Sequence, residues 1–468
     1  MTPGNSAAAH DRTPEPTAPP DLTVRSLGPA RIDSPLSGML DAWRTTEHYV
    51  NEHDRVLLDD TLSTAVARRV PVAELPGLEP CGPRRKIFFD PSKTRAGIVT
   101  CGGLCPGLND VIRGLVRSLV HHYGVRRVVG FRNGYQGFIA SYAHDVVELT
   151  PGRVSDITSE GGTVLGTSRG HQDPEEIVDC LERLNINVLF VVGGDGSMRG
   201  AMAIADEAAR RELRISVVGI PKTIDNDIPY IDQSFGFQTA FARAAEAIRA
   251  VNTEANSTPY GVGLVKLMGR HSGFIAAYAA LANHDADVVL IPEVDFELDA
   301  LLAYVHRRMR ENGHVVVVVA EGAGQHLLES SVETGASGPA TDASGNARLG
   351  DIGPFLRTRI DRHLRADDIV PSIRYIDPSY AIRSVPANAY DKAYCLRLAH
   401  NAVHAAMAGR TAMVVGRLRR RFVHIPMALA VSRRNQVDPH GDLWMSVLEA
   451  TGQPMRLGGP GLTPADPR

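Results

Sequence analysis

From Arg95 to Ala320 the chain alternates fully apolar runs of strand length with stretches of helical length, and most of the apolar runs end in a glycine-bearing turn. A strand that is apolar on both sides must be covered on both faces, which points to parallel sheets with crossover helices. The runs are Arg95–Cys101, Arg126–Phe131, Val188–Val192, Ile215–Ile220, Gly261–Leu267, Asp287–Ile291 and His314–Ala320. Between them Asn109–His121, Glu175–Leu184, Met198–Glu212, Thr239–Asn252, Ser272–Ala282 and Leu298–Asn312 read as helices, and Gly353–Arg365 and Ala389–Ala408 continue the pattern. At 468 residues the chain exceeds one compact core. The fold class expected is α/β: two doubly wound, Rossmann-like lobes with parallel-rich sheets, and a ligand cleft where the C-terminal ends of the strands meet.

The flanks differ from this middle. Residues 1–30, rich in Pro, Ala and Thr, read as an unstructured tail. Residues 31–92 read as an N-terminal extension with a helical stretch near Ser37–Val50, and residues 431–468 as a C-terminal segment. The Gly/Ser/Ala-rich segment Glu333–Asn346 reads as a mobile loop. A net charge of −3 favours neither nucleic acid nor an anionic membrane. The longest apolar run, Val315–Ala320, is far shorter than a membrane span, and no secretion signal opens the chain. Five cysteines, with Cys101 and Cys105 in CGGLC rather than CxxC, suit reduced thiols in the cytoplasm rather than a zinc site.

Phosphoryl transfer needs backbone donors for phosphate, carboxylates for Mg²⁺ and a base near the acceptor hydroxyl. Four strand-end turns offer these. Cys101–Asn109 (CGGLCPGLN) pairs glycines with a helix start, a place where backbone can meet an anion. No GxxxxGK[ST] P-loop is present. Val191–Ser197 (VVGGDGS) sets Asp195 among Gly194, Gly196 and Ser197, where it could hold Mg²⁺ against a phosphate or simply cap a helix. Gly219–Asp227 (GIPKTIDND) crowds Lys222, Thr223, Asp225 and Asp227 onto one short turn; one acid could act as base and the other help place the metal. Met268–Gly273 (MGRHSG) offers Arg270 for bidentate phosphate contact, and Glu321 ends the strand Val315–Ala320 at the same edge.

Together these turns resemble the 6-phosphofructokinase family. GGDGS, PKTIDND and MGRHSG stand in the family's order and spacing, and VTCGGLCPGLNDVIR, GGTVLGTSRG, KLMGRHSGFIA and YIDPSYAIRS are similar to its long ATP-dependent branch, known from plants and trypanosomes. The resemblance runs from about Phe89 to Gln453. It implies a glycolytic kinase that moves the γ-phosphoryl of ATP to the 1-hydroxyl of fructose 6-phosphate, with Mg²⁺, in a cytoplasmic homo-oligomer (tetramer or dimer). It implies a nucleotide-binding lobe of residues 93–236 plus 377–430 and a sugar-phosphate lobe of 237–376. Asp225 would be the base, Asp195 the Mg²⁺ ligand, and Asp227 a support for the metal or the base. Thr223 and the Gly103 amide would meet the transferred phosphoryl, Arg169 the nucleotide phosphates, and Tyr135 the nucleotide base. Arg270 would stabilise transferring charge. Met268, Gly269 and Glu321 would position the sugar, and Arg383 would grip the 6-phosphate, with Tyr380 beside it in a YxxR pattern.

On donor choice, Gly196 leaves room for the α-phosphate and ribose of ATP where pyrophosphate-using relatives carry Asp. Lys222 points the other way, because pyrophosphate enzymes typically carry Lys there; the long ATP branch combines both. The steric effect favours ATP. The resemblance also puts Arg113 and Arg117 at effector positions of short bacterial enzymes, where solvated arginines on a helix face are the alternative; the places of those enzymes' two partner-subunit arginines fall near Gly261 and Ile369, with Arg374 close to the second. The competing readings are a pyrophosphate-dependent enzyme, a sedoheptulose 7-phosphate kinase, an NAD or lipid kinase sharing only GGDG, and an inactive regulatory subunit. The last should have lost one of Asp195, Asp225 and Asp227, and all three are present.

Overall fold

The computed structural model describes residues 20–38, 49–61, 71, 74–329 and 348–458. A nine-stranded sheet and a four-stranded sheet organise them. The centre of the larger sheet is parallel: Met413–Leu418, Ser216–Pro221, Val188–Gly193, Arg95–Thr100 and Arg127–Phe131, in that spatial order. Antiparallel strands finish both edges, Val147–Glu148 on one side and Arg421–Pro426, Gly77–Pro80 and Val56–Leu57 on the other. The smaller sheet is wholly parallel, with Val288–Leu290, His314–Ala320, Gly261–Leu267 and Ser372–Ile376 side by side.

Why these strands are apolar throughout is visible in where alternate side chains go. Val188, Phe190 and Val192 belong to one buried cluster, while Leu189 and Val191 belong to another on the opposite face. In the smaller sheet Val316 and Val318 face the first cluster, and Val315, Val317 and Val319 a third. The first cluster is therefore shared: it lies between the two sheets and takes in Ile112 and Leu115 of helix Leu108–Arg117 and Ala399 and Ala402 of helix Ala389–Met407. Each such Val, Leu or Ile contributes about 1.5–3 kcal/mol when fully buried.

The flanks are less separate than their composition suggests. Where the sequence predicts an unstructured tail through residue 30, Arg25–Ser26 pairs antiparallel with Arg410–Thr411, and Leu27 N–H donates to Gly409 O (2.9 Å). A backbone ladder orders this stretch without an apolar pattern of its own. Residues 1–19, most of the helical stretch predicted near Ser37–Val50, and the predicted loop Glu333–Asn346 lie outside the described residues. The extension supplies the edge strands Val56–Leu57 and Gly77–Pro80 to the larger sheet. The C-terminal segment crosses to the smaller one: Gln453 exchanges side-chain hydrogen bonds with Val289 N–H and O (2.6 and 3.1 Å). Among the described residues no helix is long and apolar enough to cross a membrane.

Candidate active site

Arg95–Thr100, Val188–Gly193 and Ser216–Pro221 are neighbours in the larger sheet, so the three turns that follow them emerge side by side. Gly261–Leu267 and His314–Ala320 are neighbours in the smaller sheet and deliver Met268–Gly273 and Glu321. Where the two sets meet lies a cavity of about 940 Å³. Gly103, Asp195, Lys222, Thr223, Asp225 and Arg270 line it, with Glu321 and Arg383 facing them.

The turn at 221–227 is pinned from several sides. Asn226 adopts a left-handed backbone (φ 59°) and its buried Oδ1 accepts from Ser234 N–H at 2.7 Å. Ser234 Oγ donates to Thr223 O (2.5 Å), and Thr223 Oγ1 donates to Asp227 Oδ1 (2.5 Å). Asp227 has both carboxylate oxygens engaged, since Arg434 Nη1 donates to Oδ2 at 2.7 Å. Asp225 does not: its Oδ1 is buried with no hydrogen-bond partner. Burial, with the neighbouring charges of Asp227 and then Glu321, pushes its carboxyl up to about 7, against the opposing effect of Arg383. A carboxylate poised there can take a proton near neutrality.

Asp195 is treated differently. It opens helix Asp195–Arg210, its side chain is one-third exposed, and Arg199 holds both oxygens (Nε–Oδ1 3.3 Å, Nη2–Oδ2 3.0 Å). Lys222 links two turns, its Nζ donating to Gly103 O at 2.7 Å, and burial lowers its pKa. The segment 167–169 is fastened beside the first turn: Thr167 Oγ1 donates to Gly102 O (2.6 Å) and Gly102 N–H to Ser168 O (3.0 Å). In the smaller lobe Gly322 lets two turns touch, since a Cβ there would overlap Arg270 O, and Gly322 N–H donates to Gly269 O (3.0 Å). Cys101 and Cys105 are buried and free, with thiols pushed up to about 12 by burial, so they act as packing.

The family model described as Phosphofructokinase matches residues 95–406. The chain belongs to the phosphofructokinase family. It is 60% identical, over 94% of its length and 96% of the relative's, to the ATP-dependent 6-phosphofructokinase of Amycolatopsis methanolica. It is 48% identical to ATP-dependent 6-phosphofructokinase 7 of Arabidopsis thaliana, over 81% of this chain and 77% of that protein. The Trypanosoma cruzi ATP-dependent 6-phosphofructokinase is 46% identical over 86% of this chain and 83% of its own. Among solved structures, the pyrophosphate-dependent phosphofructokinase of Marinobacter aquaeolei shares the fold with a TM-score of 0.64 at 21% identity, covering 80% of this chain and 94% of that one.

Of the residues this phosphofructokinase-family sequence nominated, Gly103, Tyr135, Arg169, Gly194, Asp195, Gly196, Ser197, Lys222, Thr223, Asp225, Asp227, Arg270, Glu321 and Arg383 all line the cavity. Tyr135 does so only by an edge. It is 6% exposed, its hydroxyl donates to Ser197 O (2.6 Å), and Gly200 lies against its ring, so it braces the GGDGS turn. Met268 is fully buried beneath Arg383, whose Nε donates to its Sδ at 3.0 Å. Gly269 (φ 129°) shapes the turn and does not line the cavity. Tyr380 is 86% exposed and lies outside it; the five-residue helix Ser379–Arg383 turns the two members of the YxxR pair in different directions. Arg113 and Arg117 line a second cavity of about 660 Å³ with Asp110, His122, Lys392 and His400.

Arg199 and Arg434 are among the cavity residues that the sequence did not nominate. Arg199 sits four positions after Asp195 and could have been found from helical spacing. Arg434 could not: it meets Asp227 across 207 positions.

The acids of the cleft do not form a ready-made metal cage. The one grouping of His, Cys and acidic ligands among the described residues is His306, His363 and Asp367, on the outer helices of the smaller lobe, where Arg310 Nε donates to His306 Nε2 at 2.9 Å. A partly exposed carboxylate at a helix start nevertheless fits Mg²⁺, which keeps waters and substrate phosphates as ligands and takes only one or two carboxylates.

Proposed function

We propose that this phosphofructokinase transfers the γ-phosphoryl of ATP to the 1-hydroxyl of fructose 6-phosphate, giving fructose 1,6-bisphosphate and ADP. The observation that carries this reading is Asp225: a carboxylate with one buried oxygen, Oδ1, left unpartnered, held near neutrality where the turns of both lobes meet. In this mechanism the sugar 1-hydroxyl lies against Asp225 Oδ1 and loses its proton there as the oxygen attacks phosphorus. Thr223 and the Gly103 backbone orient the transferred group, and Arg270 balances its developing charge. Arg383 holds the 6-phosphate on the smaller lobe's side, with Met268 packed under its guanidinium and Glu321 ordering the sugar hydroxyls. Arg169 faces the nucleotide phosphates. Asp195 would hold Mg²⁺, which would neutralise charge on those phosphates.

This assigns residues 93–236 plus 377–430 to a nucleotide-binding lobe, which also carries Arg383 to the 6-phosphate, and 237–376 to a sugar-phosphate-binding lobe. It carries with it a homo-oligomer, tetramer or dimer, in the cytoplasm. ATP as donor is supported by Gly196: a Cβ built there meets no atom within 4 Å, so no internal packing calls for glycine, and the space it leaves opens on the cavity. Lys222, the residue that spoke for pyrophosphate, is engaged with Gly103 O instead. Initial rates on fructose 6-phosphate with Mg²⁺ and either ATP or pyrophosphate test the reading. Turnover with ATP alone is expected; turnover with pyrophosphate alone would reverse the donor, and a Gly196→Asp variant should lose ATP use far more than pyrophosphate use.

A further inference from the structure

Residues 431–437 form a strap that links the helix opened by Asp195, the 221–227 turn and the Met268–Gly273 turn. Val431 O accepts from Arg199 Nη2 (3.5 Å), on the helix that Asp195 opens. Asn435 N–H donates to Asp227 O (2.7 Å), fastening the strap to the 221–227 turn. Asn435 O accepts from Ser272 Oγ (2.5 Å), and Gln436 Nε2 donates to His271 O (3.0 Å), fastening it to the smaller lobe. Val437 N–H then shares Glu293 with Gly273 N–H (2.8 and 2.9 Å). From the middle of this strap Arg434 enters the cavity. Its Nη1 donates to Asp227 Oδ2 at 2.7 Å, and its Nη2 stands 3.9 Å from Asp195 Oδ2.

We propose that Arg434 is a positioning residue for phosphoryl transfer: one guanidinium, delivered by the C-terminal strap, spans the Asp195 and Asp227 carboxylates and fixes the two turns that carry the donor and the base in one register. The inference rests on the phosphotransferase reading above. Its physical content is geometric. Asp195 and Asp227 follow adjacent parallel strands, and their like charges would push the turns apart. A planar cation between them cancels that repulsion and, through its fork of donors, fixes distance and orientation together. Asp227 is only 13% exposed at its side chain, so water replaces the guanidinium poorly. The hydrogen bond and ion pairs of Arg434 described above go to Asp227 and Asp195, so its first effect falls on those two turns.

The test compares Arg434→Gln, Arg434→Lys and Gln436→Ala with the wild-type chain in ATP-dependent turnover of fructose 6-phosphate. Arg434→Gln is expected to lower kcat by about 10- to 100-fold, the cost of misplacing a reacting group by a fraction of an ångström to one ångström, with KM for fructose 6-phosphate within about threefold. Arg434→Lys restores the charge without the fork and should recover part of that loss. Gln436→Ala loosens the strap while keeping the guanidinium and should leave kcat within about twofold. In the unloaded protein Arg434→Gln should lower Tm, and adding Asp227→Asn should restore part of it, because the unpaired charge is removed. Near-wild-type kcat in Arg434→Gln, no gain in Arg434→Lys, an equal loss in Gln436→Ala, or a double variant less stable than Arg434→Gln would each overturn the proposal. Wild-type inactivity with ATP would overturn the phosphotransferase reading instead.

Discussion

Two turns that follow neighbouring parallel strands, Gly193–Ser197 and Pro221–Asp227, each present an aspartate to the same cavity, and the protein surrounds those aspartates in opposite ways. Asp195 is one-third exposed, sits at a helix start and has both oxygens held by Arg199. Asp225 has Oδ1 buried and unpartnered and lies near the carboxylates of Asp227 and Glu321. The first environment is open to water and ligands at a helix start and so suits a phosphate-bound metal. The second disfavours the charged carboxylate and so suits a proton that comes and goes. Identity of residue type and similarity of local motif say little about which is which. Burial and the sign of the neighbours decide it.

That contrast can be broken experimentally. The largest effect expected is on Asp225→Ser, which should cut kcat by about 10³-fold with little change in unfolding temperature, since general-base contributions run to 10²–10⁴. Near-full activity in that variant would remove the base from the turn altogether. A smaller loss, roughly 10- to 150-fold in kcat/KM for ATP, is expected for Asp195→Asn, because a charge-assisted contact is worth about 1.5–3 kcal/mol. Here the loss should ease as Mg²⁺ is raised, and titrating Mg²⁺ in both proteins checks this. If Asp195→Asn matched Asp225→Ser in size and ignored Mg²⁺, the two turns would not be doing different things.

The smallest effect concerns stability against pH. Asp225 titrates from an ordinary 3.8 up to about 7 in the folded chain. A group raised in this way favours the fold while protonated; that contribution is complete below pH 3.8 and is lost as pH rises towards 7. Asp225→Asn removes the penalty of the buried charge, so it should raise Tm relative to wild type at pH 8 by more than at pH 5. Thermal scans at both values read this directly. Equal shifts at the two pH values would mean that the carboxylate is solvated and would erase its contrast with Asp195.

Much of this arrangement was legible in the sequence because the turns that make the cleft are local: an apolar run, then glycines, then acids within a few residues. The register of β-strands at the sheet edge brings such turns together whatever lies between them. What escaped was non-local or directional. Arg434 lies in a stretch, VSRRNQ, with no period and no glycine signal, and it matters only through a partner 207 positions earlier. Tyr380 shows the directional limit: its spacing to Arg383 is right for a helix face, but the helix is only five residues long and the ring is exposed. The strand at Arg25–Ser26 was missed because two residues of backbone pairing leave no pattern in side chains.

The strap also sets an order of events. Every strand of both sheets precedes residue 431 in the chain, yet the guanidinium that bridges the two aspartates comes only at 434. On a ribosome, the strands are all made while the cleft is still unfastened, but the cluster between the sheets still waits for Val437, Trp444 and Val447, which follow the bridging guanidinium. A message cut just short of the strap would lose the bridging guanidinium together with Val437, Trp444 and Val447 of the cluster between the sheets, so shape and chemistry are completed by the same stretch of chain.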